Sequence, residues 1–139
     1  MNISNMIKRH EGAVVNSRKQ YILYKCPAGK LTIGWGHNIE DNGLPEHVVQ
    51  VLLEHDIINA EKDLDLIFDN WRRFAKGRRL GLTSMMFNLG HAKFRKFRKM
   101  IKAIRDKKWE EAADEAMLSL WSKQVKSRAE EISSLFRSG

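Results

Sequence analysis

Residues 24–38 read YKCPAGKLTIGWGHN. Pro27 and Gly29 suit a turn: proline fixes φ near −65°, and glycine accepts a positive φ. On one side QYILYK (20–25) reads as a strand, and on the other LTIGW (31–35) reads as a second. Asp41-Asn42-Gly43 marks a further turn. Residues 13–43 are thus the chain's β-region, with two or three short antiparallel strands. Everything around them has helical periodicity. The expected fold class is α+β, mostly α.

Upstream, Ile3, Met6, Ile7 and His10 fall at i, i+3, i+4 and i+7, one face of a short helix. Asn2 suits its cap and Gly12 its stop. Downstream, Pro45 fits a first helical position. Val48, Val49, Leu52, Leu53, Ile57, Ala60, Leu64, Ile67 and Phe68 then form a stripe along a helix of about six turns. Further helices are predicted over about 78–89, ending at Gly90, and over about 93–105, 109–121 and 127–136. Ser127 and Glu130 have capping-box spacing for the last. No repeat or linker interrupts the pattern. The 139 residues suit one domain: a small β-containing lobe (about 13–55), a long connecting helix, and a helical lobe (about 68–139) that also takes the N-terminal helix (2–11).

Net charge is +8 and the pI about 9.8. Such a surface suits a polyanionic partner: nucleic acid, anionic lipid or an acidic polymer such as bacterial cell wall. The basic runs at 72–79 and 93–99 lie mostly opposite apolar positions and read as a solvated face. No nucleic-acid motif accompanies them, so no nucleic-acid partner is expected. One cysteine excludes an intramolecular disulfide, and no Cys/His spacing resembles a zinc site. Neither metal nor cofactor is expected. The N-terminus has no apolar core, so neither a signal peptide nor an anchor is expected.

Several residues invite chemistry, and each alone has a bland reading beside it. Glu11 ends a helix, where carbonyl dipoles disfavour a negative charge and favour the protonated form a general acid needs. An exposed glutamate at a frayed end looks the same. Cys26 lies in a turn near Lys25 and Lys30, whose charge would favour a thiolate, yet a lone cysteine is also a small hydrophobe. Thr32 alternates with Leu31 and Ile33. If those two face the core, its hydroxyl faces water or a cleft; threonine also simply favours strands. Gly34 and Gly36 around Trp35 allow a bend or a close approach. Asp56 falls near the apolar stripe of the long helix and needs a partner there; His37 is a candidate for a salt bridge.

In combination these residues carry more. Glu11-Gly12, then Cys26 with five residues before Thr32, then TIGWGH, resemble the phage-type lysozymes, the endolysin family of the T-even phages. NGLPEHVVQVLLEHD resembles the start of that family's long interdomain helix, LTSMMFNLG its central buried helix, and residues 107–139 its C-terminal segment. The resemblance covers essentially the whole chain. It implies a lysozyme-like two-lobe fold and a muramidase, a glycoside hydrolase that cleaves the β-1,4 bond between N-acetylmuramic acid and N-acetylglucosamine and lyses the bacterial host. Glu11 would be the general acid, Cys26 the second catalytic group, and Thr32 a holder of the attacking water. Trp35, His37, Asn88, Trp121, Gln124 and Arg128 would line the cleft, Arg128 near the catalytic glutamate, and His37 with Asp56 would make the interlobe salt bridge. The implied partner is peptidoglycan, reached from the host cytoplasm after a holin-type protein opens the membrane, by an enzyme acting as a monomer.

Two departures stand out. Fourteen residues separate Glu11 from Cys26, more than is usual in the family, with the extension in VVNSRKQ (14–20). The segment before the long helix is short, so a small helix of larger members is expected to be missing. Two other functions fit the same residues: a lytic transglycosylase on the same bond, and a non-catalytic wall- or membrane-binding module.

Overall fold

The computed structural model describes residues 2–139; Met1 lies outside them. The chain is mostly helical with one small sheet, and it divides into two compact units, the first reaching to Gln50 and the second running Val51–Gly139.

The first unit opens with α1 (Ile3–Glu11). Asn2 caps it as expected: its Oδ1 accepts from the Asn5 N–H at 2.8 Å. Gly12 ends it at φ 65°, its N–H returning to the Lys8 carbonyl. This helix groups with the first unit. Then come β1 (Tyr24–Lys25), β2 (Leu31–Ile33) and β3 (His37–Asn38), in the order β1-β2-β3, antiparallel throughout. Tyr24 faces Thr32 across one pair, and Thr32 faces Asn38 across the other. The strands are shorter than the sequence pattern predicts. Most of 20–25 leaves the ladder, keeping only an isolated bridge between Val15 and Tyr21.

Two details of this unit differ from expectation. Asp41-Asn42 belongs to a one-turn helix, α2 (Ile39–Asn42), where a plain turn was predicted and a small helix was expected to be missing. Asn38 makes it possible by accepting from the Asp41 N–H at 3.0 Å. The alternation of β2 is also inverted. Thr32 is buried at 2% exposure while Leu31 is exposed at 37%.

The long helix α3 (Glu46–Ile67) starts just after Pro45. Only the C-terminal half of its predicted stripe is buried, at Ala60, Leu64 and Ile67, with Phe68 beyond; Val49, Leu52 and Leu53 are exposed. In the second unit α4 (Lys76–Leu89) ends at Gly90 as predicted, its cap N–H bonded to the Met86 carbonyl. The helix predicted over 93–105 is two, α5 (His91–Phe94) and α6 (Arg98–Arg105). That over 109–121 is also two, α7 (Trp109–Met117) and α8 (Leu120–Gln124). Ser119 makes the second break. Its side chain accepts from the Ser122 N–H and its hydroxyl donates to the Ala116 carbonyl, so it starts a new helix. The last helix, α9 (Lys126–Ser138), begins one residue early. Ser127 lies inside it, no side chain caps it, and the predicted capping box is not formed.

The core belongs to the second unit. Leu64, Leu82, Met85, Phe94, Ile104, Ile132 and Phe136 are fully or almost fully buried. Gly81 lets α4 and α9 meet: a Cβ there would stand 3.0 Å from the Phe136 ring. Ser133 is buried in this core with its hydroxyl donating to the Ala113 carbonyl at 2.8 Å.

Candidate active site

Glu11 ends α1, following a last turn that holds Lys8, Arg9 and His10. It is exposed, rather than partly buried as a shielded acid would be. Its carboxylate rests on the glycine hairpin: a Cβ added to Gly36 would lie 3.6 Å from Glu11 Oε2. Gly36 holds φ at 88° and Gly34 at 63°, both in the left-handed region that favours glycine. The two glycines of the IGWGH stretch therefore serve the bend.

A tyrosine pins that bend. The Tyr24 hydroxyl donates to the Gly34 carbonyl at 2.9 Å and accepts from the Gly36 N–H at 3.2 Å. Sequence reading missed this residue. It sits in the predicted strand, but the partners of its hydroxyl are ten and twelve residues away.

Cys26 and Thr32 come together, as their spacing in the hairpin predicts. The Cys26 N–H bonds to the Lys30 carbonyl at 2.9 Å, and the Gly29 N–H returns to the Cys26 carbonyl at 2.8 Å. The Cys26 thiol is free and half-buried. Its pKa is held below the ordinary value. The backbone of Lys30 is the main cause, with hydrogen bonds from the Ala28 backbone, the Thr32 side chain and its own backbone adding to the effect. Partial desolvation works against them. The thiolate is thus favoured by hydrogen bonding, and not by the lysine charges that the sequence suggested. The Lys30 ammonium is engaged elsewhere, 3.2 Å from Asp41 and 3.5 Å from Glu40. The Thr32 hydroxyl donates to the Lys30 carbonyl at 2.9 Å and is buried against the hairpin; Leu31 is the exposed neighbour, so the condition under which Thr32 would face water or a cleft is not met.

Trp35 is exposed at 39%, beside Glu11's helix: Lys8 Nζ lies 4.5 Å from the centre of its ring. His37 Nε2 donates to the Gly43 carbonyl at 2.6 Å, tying β3 to the residue that ends α2. Its expected partner, Asp56, is an exposed residue of the second unit.

In the second unit, Trp121 and Asn88 are joined: the indole N–H donates to Asn88 Oδ1 at 2.7 Å. This fixes α8 to the end of α4. Trp121 and Gln124 also line a basin of about 700 Å³, together with Leu89, Phe97, Lys93 and Lys96. Arg128 stands exposed on α9. Among the described residues, no group of three His, Cys, Asp or Glu side chains could hold a metal ion. None of the helices there is long and apolar enough to cross a membrane.

The family model "Phage lysozyme" matches residues 8–137. The chain belongs to the phage lysozyme family. A probable T4-type lysozyme 2 of Dictyostelium discoideum is 26% identical, over 99% of this chain and 94% of its own. A probable T4-type lysozyme 1 of the same organism is 25% identical with the same coverage. The pre-baseplate central spike protein Gp5 of Enterobacteria phage T4 is 25% identical over this whole chain, which spans 28% of that protein. Membership supports a lysozyme-like, peptidoglycan-degrading function and a glycoside hydrolase class. The mostly helical architecture with its small three-stranded sheet fits a lysozyme-like fold.

Proposed function

We propose that this phage lysozyme family member is a muramidase that hydrolyses the β-1,4 bond between N-acetylmuramic acid and N-acetylglucosamine. The supporting observation is the hairpin that brings Gly36 against the Glu11 carboxylate while holding the Cys26 thiol on Thr32 and Lys30. Glu11 protonates the leaving oxygen, and water attacks the anomeric carbon from the opposite face. Many glycosidases set a second carboxylate there. In this reading Cys26, as a thiolate, takes its place by orienting water or offsetting the developing positive charge, not as a covalent nucleophile. Thr32 acts through Cys26 and the hairpin backbone. Asn88, Trp121, Gln124 and Arg128 hold the glycan.

The biological role follows the same reading. The enzyme lyses a bacterial host from within, reaching the wall once a holin-type protein has opened the membrane. The excess of positive charge draws it to anionic wall polymers, an attraction that weakens with salt. Mass spectrometry of digested peptidoglycan tests the chemistry. New reducing muramic ends are expected from the wild type and none from Glu11→Gln. Anhydro-muramic ends would instead identify a transglycosylase. Persistent bacterial killing by Glu11→Gln would point to a membrane-active or binding module.

A further inference from the structure

We propose that Tyr21 and Trp35 form an accessory carbohydrate subsite that stacks an N-acetylglucosamine ring beside Glu11. This deepens the muramidase reading and rests on it.

The argument begins with the extension between Glu11 and Cys26. That segment is not slack. Asn16 organises it: its Oδ1 accepts from the Arg18 N–H at 2.9 Å and the Gln20 N–H at 3.0 Å, and its Nδ2 donates to Gln20 Oε1 at 3.0 Å. The Asn16 N–H bonds to the Gln20 carbonyl, the Ile22 N–H bonds to the Val14 carbonyl, and Lys19 turns the tip at φ 62°. The result is a tight loop that presents Tyr21 at a fixed place. There its ring packs on Trp35, with centroids 5.0 Å apart and planes at 57°.

Both rings stay open to water, Tyr21 at 47% exposure and Trp35 at 39%. Paired aromatics held rigid and left wet are what a ring-stacking face requires: large apolar area, few rotamers, and a polar edge on tyrosine. The indole also shows its polarity. It already holds the Lys8 ammonium, which collects at an electron-rich face. The axial C–H bonds of a pyranose carry partial positive charge and suit the same face. Lys8 is exposed, so it can return to water when a sugar takes its place. The location suits a glycan strand, since Gly36, the residue after Trp35, lies beside the Glu11 carboxylate: a Cβ there would be 3.6 Å from Oε2.

The test separates binding from turnover. Chitotetraose, a neutral N-acetylglucosamine tetramer, is titrated calorimetrically into the full-length Glu11→Gln protein. Trp35→Ala is expected to weaken binding about tenfold, Tyr21→Ala several-fold, and Trp35→Phe less than either. In the active enzyme the same changes should raise KM for peptidoglycan with kcat little altered. Lys8→Ala should bind the neutral sugar no more weakly, because it only removes a competitor for the ring. Unchanged affinity in both Trp35→Ala and Tyr21→Ala, with native circular dichroism, would overturn the subsite. So would collapse of binding in Lys8→Ala, which would show that the lysine and not the ring pair holds the sugar. Persistent hydrolysis by Glu11→Gln would instead refute Glu11 as the acid, while the titrations of Trp35→Ala and Tyr21→Ala would still decide the subsite.

Discussion

The two units are held together by different physics. Every buried hydrophobic residue of the described chain lies at Ala60 or beyond, in the second unit. Among its described residues the first unit buries only Thr32. It is kept in shape by turns, caps and side-chain bonds: Asn2 on α1, Asn16 in the loop, Tyr24 on the glycine hairpin, Asn38 on α2. Apolar packing is non-directional and tolerates change at its edges. A hydrogen-bonded frame fixes angles and distances but contributes little net stability per bond. The candidate catalytic groups sit in the second kind of structure.

Four substitutions can break or sharpen that contrast. The largest effect is expected for Phe136→Ala, which empties the contact between α4 and α9. It should cost about 3–5 kcal/mol in urea unfolding, and a loss under 1 kcal/mol would mean the core collapses around the gap. Tyr24→Phe removes one hydroxyl and two bonds to the hairpin. About 1 kcal/mol of stability should go, with roughly tenfold lower wall-clearing activity as Gly36 loosens beneath Glu11. Unchanged clearing would show that the frame is not what aims the acid.

Thr32→Val keeps the shape and removes a hydrogen bond that favours the Cys26 thiolate. The thiol should then titrate at higher pH, read from the pH dependence of its alkylation by iodoacetamide. The sign for stability follows from the lowered folded-state pKa. The thiolate's contribution is fully present above the free-thiol value of about 8.5 and is lost as pH falls through the folded-state value. The smallest effect is expected for Ser127→Ala. A true cap would cost about 1 kcal/mol when removed, but this serine is inside α9, so less than about 0.5 kcal/mol should be lost.

The same contrast explains what could be read in the sequence. Features set by one residue and its neighbours were legible: the Asn2 cap, the Gly12 and Gly90 stops, the Pro27–Gly29 turn, and the start of α3 after Pro45. The helix breaks near residues 95–97 and 118–119 were not. Phe94 and Phe97 hold helical spacing, and tertiary packing with the Ser119 side chain decided against one continuous helix. In the site, Glu11, Cys26 and Thr32 were singled out by the family resemblance, and the spacing of Cys26 and Thr32 in the hairpin brings those two together. The facing of Thr32 stayed open because a strand pattern says which residues share a face and not which face is covered. Tyr24 was missed because its partners are remote in sequence. Asn16 carried a usable signal, since asparagine in the polar segment just before the 20–25 run favours side-chain-to-backbone turns.

The loop that Asn16 organises has a consequence for handling the protein. Its tip carries Arg18 and Lys19, an exposed dibasic pair of the kind trypsin-like proteases cut. Such proteases take their substrates as extended chain. Here Lys19 stands at φ 62°, and the amides of Arg18, Lys19 and Gln20 all donate to Asn16. The segment that looks most open to nicking is therefore latched shut, and the rate at which trypsin enters there measures how often the latch lifts.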